Sequence, residues 1–397
     1  MRASLSGRVS GRLLFAAVLF AGLLFSPAYA EGLSPRQIKE ISDQASTWLR
    51  TNRFPGLQVA VAKDGYIWSA GFGLADIEQN VPVTSQSMFR TASVAKWFTA
   101  AAALRLVEDG KLDLDVPIQR YCPQFPKKEW PITTRQLLTH TAGIRHYVGA
   151  NGEMPATDSE KAALERLIQR EKSTQYTRHT DVIAPLDSFK NDPLLFQPGT
   201  QVWYSSLGYR VVGCVLQGAA QVPYRQLMRD LIFKPAGMEG ITEDDALAIV
   251  PHRVAGYSAG PNNTFQRAEF RDVSDNLPAG GYLSTASDLV RFVLAFQSGR
   301  LVKASTRDLM LQHPKLADGS PTPNPFDPPS DYYGMGIIVD PGEAQPAWYH
   351  VGGQSGTSTL MCYFPKTGIA VALMTNVDGF AIKEGLARKV ETIASAD

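Results

Sequence analysis

Arg90-Thr91-Ala92-Ser93-Val94-Ala95-Lys96-Trp97-Phe98-Thr99-Ala100 is the stretch on which the reading of this chain turns. It opens an Ala-rich helix that runs to Glu108 and stops at Gly110, with Ser93 and Lys96 three residues apart. That spacing places both side chains on one helical face. A serine alone is a weak nucleophile, and an amine held neutral beside it takes its proton. The first turn of a helix also carries unpaired N–H groups that suit an oxyanion. Ser-x-x-Lys recurs by chance, and an N-cap serine followed by a solvated lysine is the default until partners are found elsewhere.

The chain of 397 residues carries 39 Lys and Arg against 38 Asp and Glu. A balance so near neutral gives no reason to expect nucleic acid or an anionic membrane surface as a partner. Residues 1–30 read as a secretory signal: Arg2, Arg8 and Arg12, an apolar run at 13–25, then Ala28-Tyr29-Ala30 as a small-x-small cleavage site. The apolar run is short of the roughly 20 residues of a membrane helix, so no stable span is expected, an uncleaved N-terminal anchor being the alternative. Export, to a bacterial periplasm or beyond, is the expectation. Residues 31–397 then form a single catalytic domain, long enough for a large core. Cys122, Cys214 and Cys362 are few, odd in number and far apart. They read as buried thiols, with neither a disulfide framework nor metal-ligand spacing.

Ser34-Pro35 reads as the N-cap and first residue of an amphipathic helix to about Asn52. Lys63-Asp64-Gly65 joins two apolar runs, 56–62 and 66–73, as a hairpin. A helical middle follows, including 133–140, 158–171, 206–220 and 224–234, with a loop-rich stretch at 253–273. Residues 147–195 read as an insertion able to line or cover a site. A capped helix at 286–297, strands at 333–339, 357–364 and 369–375, and a helix at 380–395 close the chain. The order predicts an α+β fold, in which an antiparallel sheet built from both chain ends (about 31–88 and 276–397) is flanked by helices. A helical part (about 89–275) is inserted in the middle, with a cleft at the junction.

Serine catalysis through a lysine needs a second polar group to relay protons and a second N–H for the oxyanion. Tyr204-Ser205-Ser206, just before a helix, offers a phenol and a hydroxyl; on local evidence alone, an aromatic packing at a helix entry is the favoured reading. Tyr349-His350-Val351-Gly352-Gly353-Gln354-Ser355-Gly356 offers close approach at its glycines and a histidine that titrates or donates near pH 7, or else a plain glycine-rich turn. Lys366-Thr367-Gly368 spells a known catalytic tripeptide, yet sits between two strands where a hairpin turn belongs. His140 and His146 lack acidic companions at ligand spacing, so no metal site is expected.

In this order the motifs resemble those of the penicillin-recognising serine hydrolases: class C β-lactamases, D-alanyl-D-alanine carboxypeptidases and related esterases. Ser93–Lys96 matches S-x-x-K, Tyr204–Ser206 matches Y-x-N, and His350–Gly352 matches K-T-G or H-x-G. Leu137-Leu138-Thr139-His140-Thr141-Ala142-Gly143-Ile144 and Ala279-Gly280-Gly281 with Ser284-Thr285-Ala286 support it. Lys111-Leu112-Asp113-Leu114-Asp115, Gly143-Ile144-Arg145-His146-Tyr147 and Phe189-Lys190-Asn191-Asp192-Pro193-Leu194 are similar to the branch found in animal mitochondria.

The resemblance implies a β-lactamase/transpeptidase-like fold and an acyl-enzyme on Ser93, with Lys96 as base, Tyr204 as proton relay and His350 completing the network. It implies an oxyanion site at the N–H groups of Ser93 and Gly353, with Ser206 and Gly352 on the substrate side. It places the third motif at the start of a glycine-containing strand and Lys366 in the hairpin beyond it. No metal or organic cofactor is implied, and the expected partner is a small peptide, ester or cell-wall-derived substrate. Two departures bear on substrate choice. Ser206 stands where β-lactam-hydrolysing members usually have Asn, and Val351 where K-T-G has Thr. Weak β-lactamase activity at most is therefore expected. The alternative from another class is a catalytically idle or assembly-forming protein that keeps the fold.

Overall fold

The computed structural model describes residues 32–148, 158–326, 330–379 and 385–396. The segment read as an export signal and the start of the expected last helix lie outside them. Helix α1 (Pro35–Asn52) begins as its sequence dictates: the Ser34 hydroxyl accepts from Gln37 N, the Gln37 side chain accepts from Ser34 N, and Pro35 fills the first turn. Such a capping box closes two otherwise unpaired backbone donors, the N-cap alone being worth about 1 kcal/mol.

The chain then enters strands β1 (Gly56–Lys63), β2 (Tyr66–Asp76) and β3 (Val81–Pro82). It returns to the same sheet near its end in β4 (Tyr332–Tyr333), β5 (Ile338–Asp340), β6 (Ala347–Gln354), β7 (Thr357–Phe364) and β8 (Ile369–Thr375). The strand order is β3-β2-β1-β8-β7-β6-β5-β4, with every neighbouring pair antiparallel. Leu57 pairs with Thr375 and Ala62 with Ala370, so the two chain ends meet at the centre of the sheet, as expected. Asp64 and Gly65 both have positive φ (50° and 81°), which the tight β1–β2 hairpin requires. Phe364 pairs with Ile369 and Gly368 has φ 71°, so Lys366-Thr367-Gly368 is a hairpin turn.

The central strands are buried on both faces, and side-chain size decides which helix covers which face. Val59 and Val61 of β1 and Leu360, Val371 and Leu373 pack under α1 and the terminal helix α2 (Gly385–Ser395). Ala60 and Ala62 alternate to the other face with Ala370 and Ala372, where helix α3 (Ala286–Gln297) lies close because those side chains are small. Gln58, fully buried in β1, fixes this layer: its amide donates to Thr84 O (2.6 Å) and its carbonyl accepts from Ala286 N (2.5 Å) at the start of α3. The helical middle is built on α4 (Ala95–Glu108), buried on nearly all sides, and α5 (Ser206–Ala220) beside it. The helix Asp158–Thr174 is pinned at its far end by Arg145, which reaches Glu171 (2.5 Å) and Asp192 (2.8 Å).

Two expectations are corrected. The strand expected at 333–339 breaks into β4 and β5, because residues 334–336 dive against the helical layer. A Cβ on Gly334 would stand 2.4 Å from Met310 O, and one on Gly336 (φ 76°) 2.6 Å from Ala100 Cβ. The cysteines are not three buried thiols: Cys122 and Cys214 form a disulfide across 92 residues, with Cα atoms 5.5 Å apart. The loop at Tyr121-Cys122 lies directly on α5, where a Cβ at Gly218 would clash with Tyr121 O at 1.7 Å.

Closing a loop of this length restrains the unfolded chain. Replacing both cysteines by alanine is expected to lower unfolding stability by about 2–5 kcal/mol in urea titrations. Two additional thiols per denatured chain should become alkylatable only after reduction; equal alkylation with and without reductant would contradict the bridge.

Candidate active site

Ser93 lies in the 3₁₀ turn Ala92–Val94 that feeds into α4. Ala92 holds φ 46°, a left-handed conformation that costs a non-glycine residue about 1–2 kcal/mol. Close packing holds it there. Strand β6 crosses the turn so tightly that a Cβ at Gly352 would stand 2.9 Å from Ser93 N and 2.8 Å from Thr91 O. On the other side a Cβ at Gly280 would lie 3.0 Å from the carbonyl carbon of Ala92. Arg90, just before the turn, donates to Asp244 (2.6 Å), Ser355 O (3.1 Å) and Arg271 O (3.2 Å), joining the nucleophile segment to both cleft walls.

Lys96 follows one turn later and is fully buried. Its Nζ lies 2.9 Å from Ser93 Oγ, 3.0 Å from Ser206 Oγ and 3.1 Å from Ala279 O. Burial, assisted by the positive charge of Arg210, pushes its pKa well below that of a free lysine. A neutral amine has two N–H groups and one lone pair, and the three contacts match that inventory. Ala279 O can only accept, and Ser206 Oγ takes the second N–H. The lone pair then faces Ser93.

Tyr204 and Ser206 reach this point from the entry of α5. The Tyr204 hydroxyl hydrogen-bonds with both Ser93 and Ser206, and the lysine nitrogen lies 4.9 Å from the centre of the Tyr204 ring. Burial raises the phenol pKa, against the lowering effect of those two hydrogen bonds, so Tyr204 keeps its proton. Ser205 caps α5, its hydroxyl accepting from Gly208 N and donating to Arg145 O (2.7 Å).

Two histidines, given no role from the sequence beyond an unmet metal-ligand pattern and two family-like stretches, hold this loop. His140 Nδ1 accepts from Ser205 N and His146 Nδ1 from Ser206 N, both at 3.2 Å. Each accepts at Nδ1, which requires a neutral ring. Burial, above all, lowers the pKa of His146 to about 3 and that of His140 well below the usual value. Their rings flank Tyr204, at 4.4 Å for His140 and 5.4 Å for His146.

The structure therefore brings Ser93, Lys96, Tyr204 and Ser206 together. Ser93, Tyr204, Ser206 and Gly353 line one cleft of about 390 Å³. His350 does not line it. The ring is fully buried behind Tyr333, whose hydroxyl donates to His350 Nε2 (2.9 Å), while His350 Nδ1 donates to Val351 O (2.6 Å). Burial, reinforced by the neighbouring Lys96, lowers its pKa to about 3, so a histidine titrating near pH 7 is not what stands at this position. Gly352 is the point of close approach rather than an open substrate surface, and Gly353, exposed, carries the free rim.

On the remaining walls, Tyr147 and Gln175 come from the stretch expected to line a site and Gln354 from the third-motif stretch, whereas Glu269, Arg271 and Asn276 were not anticipated. Phe326 stands at one edge. Arg210 is buried behind Tyr147, ion-paired to Asp275 at 2.6 Å. The likeness of Gly143–Tyr147 to a branch of the family and the reading of residues 147–195 as a site-lining insertion were the usable signals. Three larger hollows, about 650 Å³ beside Arg225 and Tyr282, about 710 Å³ beside Ile249 and about 520 Å³ beside Arg135 and His313, have no comparable nucleophile and base.

The beta-lactamase family model matches residues 37–392 of the chain. The human serine beta-lactamase-like protein LACTB, mitochondrial, is 30% identical over 309 residues, 64% of this chain and 56% of that protein. Esterase EstB of Burkholderia gladioli is 32% identical over 208 residues, 51% of this chain and 50% of the esterase. The chain thus spans about half the length of each of these relatives. The crystal structure of a penicillin binding protein from Bacillus halodurans superposes with TM-score 0.70 at 22% identity, covering 87% of this chain and 99% of that one.

Two outcomes follow from the buried groups. His146 and His350 refuse protons in the folded state down to about pH 3, whereas the unfolded chain takes them up below about pH 6.5. Stability is then complete above about pH 6.5 and declines as pH falls towards 3. Urea unfolding at pH 7 and pH 5 should show this, with a smaller loss in His146→Gln; an identical pH response in that variant would contradict the assignment. Gly352→Ala is expected to separate β6 from the nucleophile turn, lowering the rate of serine labelling while far-ultraviolet dichroism stays unchanged.

Proposed function

The chain belongs to the beta-lactamase family, and from that premise we propose that it is an exported serine hydrolase working through an acyl-enzyme on a peptide amide or ester. The observation that carries the reading is the buried Lys96 nitrogen 2.9 Å from Ser93 Oγ, with its pKa driven down. Lys96 takes the Ser93 proton as the oxygen attacks the substrate carbonyl carbon. The N–H groups of Ser93 and Gly353 receive the negative charge on the carbonyl oxygen, each such donor being worth about 3–4 kcal/mol. Collapse of the tetrahedral species breaks the bond to the leaving group, which takes a proton relayed through Tyr204 and Ser206. Water then attacks the ester on Ser93 by the reverse relay, freeing the acid and restoring the serine.

Substrate preference follows from what the cleft lacks. Ser206 ends in a hydroxyl already engaged by Lys96 and Tyr204, so it is too short and too occupied to hold a substrate amide as Asn would. Val351 lines the cleft with no hydroxyl to offer an acid group. A lost hydrogen bond to a charged group costs about 1.5–3 kcal/mol. β-Lactam turnover is therefore weak, and peptides or esters are preferred. The esterase relative supports the ester arm of this reading. The Cys122–Cys214 bridge supports export, because disulfides persist in oxidising compartments.

A fluorophosphonate probe should label Ser93 in the intact protein and fail to label Ser93→Ala; equal labelling sinks the mechanism. Lys96→Arg, whose guanidinium stays charged, should slow labelling by about 10²–10⁴-fold. In a panel of 4-nitrophenyl esters, D-alanyl peptides and a chromogenic cephalosporin, the cephalosporin should be the poorest substrate. Ser206→Asn combined with Val351→Thr should raise its kcat/KM.

A further inference from the structure

We infer that the hollow beside Arg225 and Tyr282 is a second ligand site, which takes a compact, neutral, largely apolar molecule bearing a carbonyl oxygen. It measures about 650 Å³, against about 390 Å³ for the cleft of Ser93, and the two share no lining residue. That volume lies within the roughly 300–1,000 Å³ of small-molecule sites. Its floor is apolar. Phe233, Met238 and Tyr282 are buried there, and the Phe233 and Tyr282 rings meet edge to face with centres 5.1 Å apart. Nothing in this recognition depends on the chemistry at Ser93.

Two buried polar atoms of the lining residues are left unmet. Arg225 Nε has no hydrogen-bond partner, although the rest of the guanidinium is engaged, by Glu243 and by His179 O at 3.0 Å. Tyr282 Oη meets the Tyr224 hydroxyl only outside hydrogen-bonding geometry, and the Tyr224 hydroxyl is itself bonded to Thr99 Oγ1 at 2.7 Å. The Arg225 and Tyr282 groups lie near enough for each to act on the charge of the other. A buried donor left unmet is costly, and Arg225 Nε can only donate. One oxygen acceptor answers both groups, since a carbonyl has two lone pairs. The charges of the lining balance: Arg225, Arg229 and Lys234 face Glu239, Glu243 and Asp245. Glu243 is held by Arg225, and Asp245 by two bonds from Arg178, at 2.9 and 2.6 Å. Three cations against three carboxylates favour a neutral guest over an ion.

The test uses the full chain with carbon-13 methyl methionine, titrated with 4-ethylbenzamide. Two ions of the same body serve for comparison, 4-ethylbenzoate and 4-ethylbenzylammonium, the latter having donors but no acceptor. Met238 lines the hollow, and its methyl resonance is assigned from Met238→Leu. That resonance should shift saturably with the amide, with a dissociation constant on the order of 1 mM, as for a fragment of about a dozen heavy atoms. Both ions should bind several-fold more weakly. Tyr282→Phe, which removes the hydroxyl and keeps the ring, should weaken the amide about 2–10-fold. Ala248→Trp, at the exposed rim of the hollow, should abolish the shift by filling the mouth. A Met238 resonance that does not move overturns the inference, as does a response to either ion as strong as to the amide. An amide affinity unchanged in both Tyr282→Phe and Ala248→Trp overturns it too. The readout is binding, so failure of the acyl-transfer reading would leave the result intact.

Discussion

A lysine taken wholly out of water is the constraint on which the rest of this structure depends. An ammonium at the Lys96 position would lack a counter-charge at close range, and Arg210 stands near enough to make matters worse. The amine is tolerable there only in its neutral form, with each of its polar valences met by Ser93, Ser206 and Ala279 O. Meeting them requires three separate chain segments to converge on one nitrogen. The fold can be understood as the arrangement that brings them there.

Small residues make the convergence possible. Gly352 lets β6 cross the Ser93 turn, Gly280 receives Ala92 in its left-handed conformation, and the alanines of β1 and β8 let α3 lie close to the sheet. Gln58 then ties the sheet to the start of α3 through hydrogen bonds that no apolar residue would replace. The nucleophile turn is thus rigid through contact on both sides rather than through its own sequence. The Ser93 hydroxyl and the Lys96 amine are thereby kept in fixed register.

Three histidines surround the site, and none is charged near neutrality. His140 and His146 serve as acceptors for the backbone of the Tyr204 loop, and His350 bridges Tyr333 to the third-motif strand. They hold the Tyr204 loop and the third-motif strand as neutral rings. Lys96 and Tyr204 have pKa values moved in opposite senses by the same burial, one towards a free base and the other towards a retained acid.

The sequence by itself determined the local pieces. The Ser34-Pro35 helix start, the Asp64-Gly65 hairpin, the turn at Lys366, and the nucleophile and base at i and i+3 are each set by residues a few positions apart. Such features rest on backbone preference and periodicity, which a linear reading captures. The order of three short motifs added the fold and the four groups at its centre. Tertiary structure alone decided what depends on contacts between distant segments. The Cys122–Cys214 bridge spans 92 residues with no spacing signal, and β4 and β5 part because Gly334 and Gly336 meet Met310 and Ala100. His140 and His146 acquire their roles from partners some 60 residues away, and Arg210 differs from Arg271 because Asp275 stands beside it. Charge and burial are properties of a neighbourhood, and only folding assembles one.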